Sequence, residues 1–335
     1  MTGTMQQGVL KAAIDRRPVA SDIAIIETAR PDCPQDGVLV KLSAVSLDPY
    51  VGTRLRGKHM GEPAPVPMRN AIPAHGVGQI VESRASGLKE GDWVHTTEGG
   101  WRDYAALPVS AVRKIDVGGL DPADHIGALG MPGLTAWAAM AKRADVQPGE
   151  SVLIDAAAGA VGGTAGQIAR ALGASRVTGI AGGPEKCAIV TGAYRFDACI
   201  DYRKEGWRDA LAAALPDGLN VHLENVSVEL LTLALTHMRP YGRAVLCGLA
   251  DQYHADAPPP GVPAGLIIGK RASLMGLVVY DFYDRWAEFT EFAAPLVRSG
   301  DLKIAEDSVT GWADAPALFE RMLAGKHIGK AMVRL

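Results

Sequence analysis

The sequence predicts an α/β protein in two parts, a small, partly open β-barrel and a doubly wound parallel sheet. Three observations carry this. Up to about residue 125, short alternating segments such as Gly37–Ser46 are separated by turns, the pattern of a β-rich domain. From about residue 127, helical and strand segments alternate, as in a parallel sheet wrapped on both faces by helices. Within that second part, Val152–Leu172 reads as a buried strand, a small-residue turn and a helix, in that order.

Along the first part, Gly37–Ser46 alternates as a strand, and Gly76–Glu82 and Asp92–Thr96 follow, joined through Gly87–Gly91. Trp101–Leu107 reads as one more strand. The second part opens with a helix over Ala136–Lys142. After the Val152–Leu172 unit come a strand at Arg176–Ala181, a helix at Pro184–Thr191 and a strand at Ala198–Asp201 that ends in Tyr202 and Arg203. Trp207–Leu215 (helix), Val221–Asn225 (strand), Val228–Met238 (helix) and Gly242–Gly248 (strand) continue the alternation. Ala257–Pro263, with its run of prolines, has to be a loop. A last strand, Ala272–Val279, precedes the helix Trp286–Ser299, and Leu302 to Leu335 carries strand, helix and strand. The expected division is residues 1–126 for the barrel part, 127–296 for the parallel sheet, and 297–335 returning to the first part.

The chain has 335 residues, 48% apolar and 21% charged, enough for two globular cores. A net charge of −3 and no dense basic run argue against nucleic acid as a partner. The longest apolar runs, Ala264–Ile268 and Leu274–Val279, are too short to cross a bilayer. Met1–Gln7 lacks the features of a signal peptide, so the expected location is cytoplasmic. Cys33, Cys187, Cys199 and Cys247 are scattered with no Cys-x-x-Cys pair, which suggests neither a zinc lobe nor a disulfide framework. Cys199 and Cys247 fall on expected core strands, where cysteine serves as a small buried apolar side chain.

Set against the dinucleotide fingerprint G-x-G-x-x-G, the turn reads Ala157-Ala158-Gly159-Ala160-Val161-Gly162, with alanine in the first glycine slot. Gly159 lets backbone approach a pyrophosphate, Gly162 lets the helix pack close to the strand, and the free N–H groups at the helix start face the phosphates. This makes the second part a Rossmann-type sheet. An NAD-selective site places Asp or Glu about 20 residues further on. Here that place falls near Gly182, which has no side chain to repel a phosphate. Lys186, Tyr202 and the Gly183 amide can serve a 2′-phosphate; a solvated surface lysine is the alternative for Lys186. The expected cofactor is NADP(H).

Several motifs resemble one family. They are Ser46-Leu-Asp-Pro-Tyr-Val51, Gly130-Met-Pro-Gly-Leu-Thr-Ala-Trp137, Ala156-Ala-Ala-Gly-Ala-Val-Gly162, Gly179-Ile-Ala-Gly-Gly-Pro-Glu-Lys186, Glu224-Asn225-Val226, Cys247-Gly248-Leu249 through Gln252-Tyr253, and Gly325-Lys-His-Ile-Gly-Lys330. In this order they are similar to the zinc-independent medium-chain dehydrogenase/reductase superfamily, in its prostaglandin reductase (leukotriene hydroxydehydrogenase) and curcumin reductase group. The resemblance implies a GroES-like catalytic domain beside the Rossmann domain, a homodimer, and NADPH-dependent reduction of the C=C bond of α,β-unsaturated ketones or aldehydes. It also implies no metal. Zinc members of the superfamily carry a catalytic Cys and a Gly-His-Glu pair, whereas this chain reads Pro73-Ala-His75-Gly-Val-Gly78, and one histidine cannot make a three-ligand site. Relatives usually have Asn before the last Gly-Lys, reaching the dinucleotide; here His327 stands there, still able to donate one hydrogen bond.

Reducing an enone leaves negative charge on the carbonyl oxygen, which needs hydrogen-bond donors in a water-poor cleft. Tyr253, after a strand's carboxyl end, and Tyr50, held by Pro49, are the candidate catalytic residues, Tyr253 toward the nicotinamide and Tyr50 toward the substrate. Met131, Pro132, Gly133 and Thr135 wall the nicotinamide side if they behave as in relatives. Thr135 either bonds the carboxamide or caps a helix starting there. Asn225 points toward the cofactor from a strand end, and Gly248 either admits the dinucleotide closely or ends its strand. Lys330 is expected to support the closing strand. The substrate is expected to be a small, apolar enone or enal. The alternatives are a quinone oxidoreductase of the zeta-crystallin kind, or a catalytically silent NADP-binding protein.

Overall fold

A computed structural model of the chain describes residues 3–253, 258 and 260–335. Part of the expected loop Ala257–Pro263, at Ala257 and Pro259, lies outside the described residues; the rest of it has no regular structure. The chain separates into two compact units, Met1–Gly127 with Glu306–Leu335, and Ala128–Ala305.

The first unit is built on a sheet in the order Glu306–Thr310, Lys330–Arg334, Gly37–Ser46, Gly76–Ser83, Trp93–Thr96 and Val112–Lys114, with Tyr104–Pro108 also paired to Gly37–Ser46. The two outer strands at one end come from the return segment. Gly37–Ser46 is the hub because its valines and leucines are buried on both faces: Val38, Leu39, Val40 and Leu42 are each 2% exposed or less. The expected strand at Trp101 starts only at Tyr104. Trp101 instead bonds through its backbone to Gly8 and Ile72 and stacks on Trp312 with an edge of Phe319 against it, so its indole is a core anchor off the ladder. An antiparallel hairpin, Thr4–Leu10 with Ile23–Ala29, was not among the expected elements; its polar Thr4–Gln7 start hides the alternation.

The second unit holds parallel strands in the order Ala198–Asp201, Arg176–Ala181, Ser151–Ile154, Leu219–Glu224, Met238–Leu246 and Ser273–Gly276. Chain order runs outward in both directions from Ser151–Ile154, so the switch point where a nucleotide binds lies between that strand and Leu219–Glu224. Buried Leu153, Ile180, Leu231 and Leu235 form part of the core beneath the helices. The boundary expected at residue 296 would cut the helix Trp286–Ser299. The unit runs to Ala305 because the Gln167 side chain pairs with both the N–H and the carbonyl of Lys303, at 2.8 and 2.7 Å, and Tyr194 Oη accepts from Ala305 N. Among the described residues no helix is long and apolar enough to cross a membrane.

Candidate active site

The fingerprint turn follows from steric facts at three residues. Strand Ser151–Ile154 ends in Asp155, and Ala156 takes a left-handed conformation (φ 47°). The left-handed position therefore sits one residue before the first glycine slot, which explains why Ala157, fully buried, can fill it. Gly159 is the extended N-cap of the helix Ala160–Ala171, so the first amides of that helix, at Ala160, Val161 and Gly162, have no carbonyl of the helix to bond and are open to an anion. A Cβ on Gly162 would lie 2.5 Å from the Ala156 carbonyl oxygen and 2.8 Å from that of Asp155. Only glycine lets the helix start this close to the strand end. Ala158 is buried beneath the turn. This cradle fits a pyrophosphate.

At the end of strand Arg176–Ala181, a Cβ on Gly182 would sit 2.7 Å from the Tyr202 hydroxyl, so glycine lets that ring lie over the corner. Gly183 is left-handed (φ 102°) and starts the helix Pro184–Thr191, which carries Lys186. Its N–H is donated to Asp201 Oδ1 at 2.8 Å, so the Gly183 amide is not open to a 2′-phosphate as the sequence suggested. The same backbone bond, with that from Arg203, holds the Asp201 carboxyl below its ordinary value. Tyr202 and Arg203 lie in the turn after the strand, not within it. An Arg203 guanidinium nitrogen stands 3.4 Å from the Cβ position of Gly183, a cation that the sequence placed nearby but gave no role. Arg203 and Tyr202 thus flank the Gly182–Gly183 corner, and Lys186 lies on the helix that starts there.

Asn225, Gly248 and Tyr253 gather at the carboxyl ends of the next two strands. Asn225 donates from Nδ2 to the Asp155 carbonyl at 3.3 Å. A Cβ on Gly248 would meet Tyr253 Oη at 3.2 Å and the Asn225 carbonyl oxygen at 3.5 Å. Burial pushes the Tyr253 phenol up to about 12, helped by neighbouring Cys247 and Tyr280; at neutral pH it is a proton-bearing donor. Met131 opens the helix Met131–Trp137. Thr135 lies inside that helix and donates its hydroxyl to the Met131 carbonyl at 2.7 Å. It therefore caps nothing, because the helix begins four residues earlier.

Directly under the switch point the sequence reading missed a cluster. Asp155, His222 and Glu224 have no solvent exposure, and His222 Nε2 lies 3.0 Å from Asp155 Oδ2. Register explains it: Ile154 pairs with Leu223, which sets Asp155 beside Glu224, while His222 and Glu224 share a face. Burial and the adjacent Asp155 push the Glu224 carboxyl well up, and its Oε1 accepts from Val226 and Ser227 amides. No linear motif marks such a group, because its spacing is set by strand pairing.

In the first unit, Tyr50 begins the helix Tyr50–Leu55, its ring 6.4 Å from that of His59. His327 is half-buried in the loop before strand Lys330–Arg334. Lys330 is buried and donates to Asp48 Oδ1 at 2.9 Å and to the Leu47 carbonyl at 2.8 Å. Asp48 also accepts from Ser46 Oγ. His75, with Nδ1 3.4 Å from His95 Nε2, is lowered to about 4, chiefly by burial.

Residues 6–115 match the family model of the N-terminal domain of oxidoreductase, and residues 160–295 that of the zinc-binding dehydrogenase. A 2-alkenal reductase (NADP(+)-dependent) from Nicotiana tabacum is 32% identical over 340 residues, covering 98% of this chain and 96% of that protein. The chain belongs to the medium-chain dehydrogenase/reductase superfamily, in its zinc-independent curcumin and enone reductase group. An NADPH-dependent curcumin reductase from Escherichia coli is 32% identical across 90% of this chain and 89% of its own. Among solved structures of this superfamily, CurA from Vibrio vulnificus in complex with NADPH superposes with a TM-score of 0.89, at 30% identity and 98% coverage of both chains. The architecture, a GroES-like unit and a Rossmann unit, is that of the superfamily. The residues around His75 do not fit a catalytic zinc: Asp48 is neutralised by the Lys330 ammonium, and no glutamate follows the histidine. The converging Asp155, His222 and Glu224 are sealed from solvent; Glu224 Oε1 and Asp155 Oδ2 are engaged, while Asp155 Oδ1, His222 Nδ1 and Glu224 Oε2 have no hydrogen-bond partner among the described residues.

Proposed function

We propose that this protein reduces the carbon–carbon double bond of α,β-unsaturated ketones and aldehydes with NADPH, without a metal. The observation that carries the reading is the half-buried Tyr253 with its hydroxyl over Gly248, next to Asn225 at the carboxyl edge of a sheet whose fingerprint turn fits a dinucleotide. Relatives named as an alkenal reductase, a curcumin reductase and a (+)-pulegone reductase support the substrate class.

The amides of Ala160, Val161 and Gly162, with Ala158 and Gly159 giving backbone access, hold the pyrophosphate. Lys186, Arg203 and Tyr202 hold the 2′-phosphate through charge-assisted bonds, at a corner kept open by Gly182 and Gly183. Met131 and Thr135 wall the nicotinamide side, Asn225 and Gly248 border it, and His327 donates a hydrogen bond to the dinucleotide. Bound NADPH supplies the hydride for the β carbon. Tyr253 donates to the carbonyl oxygen as its charge grows and delivers the proton that completes the α carbon. Tyr50 contacts the substrate. The working form is a cytoplasmic homodimer.

The test is NADPH oxidation, followed by absorbance, over a panel of enones, enals and quinones without added metal. Turnover of enones and enals alone supports the reading. Turnover of quinones alone moves the protein to a quinone oxidoreductase, and NADPH binding with no turnover leaves a nucleotide-binding protein.

A further inference from the structure

Two cysteines that no sequence motif includes come together beside the nucleotide corner. Cys187 lies in the first half of the helix Pro184–Thr191, directly after Lys186, and Cys199 on the strand Ala198–Asp201, the outermost of its sheet. Their sulfurs are 2.9 Å apart, within about 1 Å of the bonding length of about 2.05 Å. Both side chains are partly exposed, unlike Cys33, which is buried. Cys199, expected to be a small buried side chain, is half-buried and within reach of Cys187.

We infer that Cys187 and Cys199 form a redox-active dithiol that hydrogen peroxide closes to a disulfide, and that the closed form holds NADPH more weakly. The inference rests on the reading of Lys186, Arg203 and Tyr202 as the 2′-phosphate site. Cys187 is the attacking sulfur. It is the acceptor in the contact between the two sulfurs. Cys199 donates its S–H to the Cys187 sulfur, and burial together with that neighbour holds its proton on.

The Cys187 thiolate attacks one peroxide oxygen; the S–O bond forms, the O–O bond breaks, and hydroxide leaves to be protonated to water. The Cys199 sulfur then attacks the Cys187 sulfenic acid; the S–S bond forms, the S–O bond breaks, and the departing hydroxide takes the Cys199 proton as a second water. Two thiols and one peroxide become one disulfide and two waters, sulfur losing the two electrons that oxygen gains.

The link joins two elements that frame the phosphate corner. Cys199 precedes by two residues Asp201, which holds the Gly183 and Arg203 amides, and Cys187 follows Lys186. Drawing the sulfurs together moves the helix start, and with it Lys186, against the strand end. Tyr253 lies on neither element, in the turn after strand Met238–Leu246, so the effect falls on cofactor binding and not on turnover.

The full-length protein is treated with hydrogen peroxide, alkylated and mapped by mass, and its NADPH Kd is measured by fluorescence titration before and after. The expected result is a Cys187–Cys199 cross-linked peptide with Cys247 still alkylatable after unfolding, a several-fold rise in NADPH Kd, and reversal by dithiothreitol. Cys199→Ser should instead leave a sulfenic acid on Cys187 that dimedone traps, with no cross-link. Absence of the cross-link, or a cross-link that leaves the NADPH Kd unchanged, overturns the inference. Lys186→Ala in reduced protein tests the phosphate site separately: an unchanged NADPH Kd there sinks that reading, while the mass map still reports the dithiol.

Discussion

The Tyr253 hydroxyl sits over Gly248, 3.2 Å from where a Cβ would project. The pairing makes a single hydrogen-bond donor at a strand end depend on a missing side chain. Tyr253→Phe should lower kcat on the order of 10²-fold and leave the KM for NADPH unchanged, because the ring and its packing stay. Gly248→Ala should push the hydroxyl aside and lower kcat by less. Steady-state kinetics with an enone decide it; an unchanged kcat in Tyr253→Phe removes the tyrosine from the chemistry.

Lys186 and Arg203 stand at the corner where NAD-selective sheets carry an acid. Loss of one charge-assisted phosphate bond is worth roughly 1.5–3 kcal/mol, so Lys186→Ala should raise the KM for NADPH about tenfold or more. The KM for NADH, which has no 2′-phosphate, should not move. Parallel changes for both nucleotides would place the lysine elsewhere.

Gly162 meets two backbone oxygens within 2.8 Å of a would-be Cβ. Backbone cannot rotate away as a side chain can, so Gly162→Ala should destabilise the protein by about 1–3 kcal/mol and weaken NADPH binding. Denaturant unfolding with and without NADPH measures both effects, and an unshifted midpoint would show that the helix start can give way.

Stability should fall in mild acid because of His75. Its folded value is about 4 against 6.5 when unfolded, so between these the unfolded chain binds the extra proton. The contribution is complete above about pH 6.5 and is lost as pH falls toward 4. It amounts to at most about 3 kcal/mol. His75→Gln should make the pH dependence of unfolding shallower over that window, the buried His95 beside it supplying the rest; a slope equal to that of the parent would assign the acid sensitivity to other groups.

The fingerprint turn was legible in the sequence because its strand, glycines and helix are neighbours along the chain, and local sterics decide their conformation. The helix Trp286–Ser299 and the strands Gly37–Ser46, Arg176–Ala181 and Ala198–Asp201 were read at the same bounds that the structure shows. The place of Tyr253 beside Gly248, past the carboxyl end of strand Met238–Leu246, was legible too, because the two are near neighbours along the chain.

Other features depend on contacts between distant segments. Trp101 reads as strand but is a core anchor, since Trp312 and Phe319 arrive from the return segment. The Gly183 amide looks open until strand Ala198–Asp201 brings Asp201 to it. His222 and Asp155 are 67 residues apart in the chain and 3.0 Å apart in space. The sequence by itself determined the local backbone choices and the alternation of helix and strand, because these follow from side-chain size, glycine placement and short-range periodicity. Only the tertiary structure decided which polar atoms are already spent on one another and which thiols meet, because strand order and register set those distances and no spacing along the chain encodes them directly.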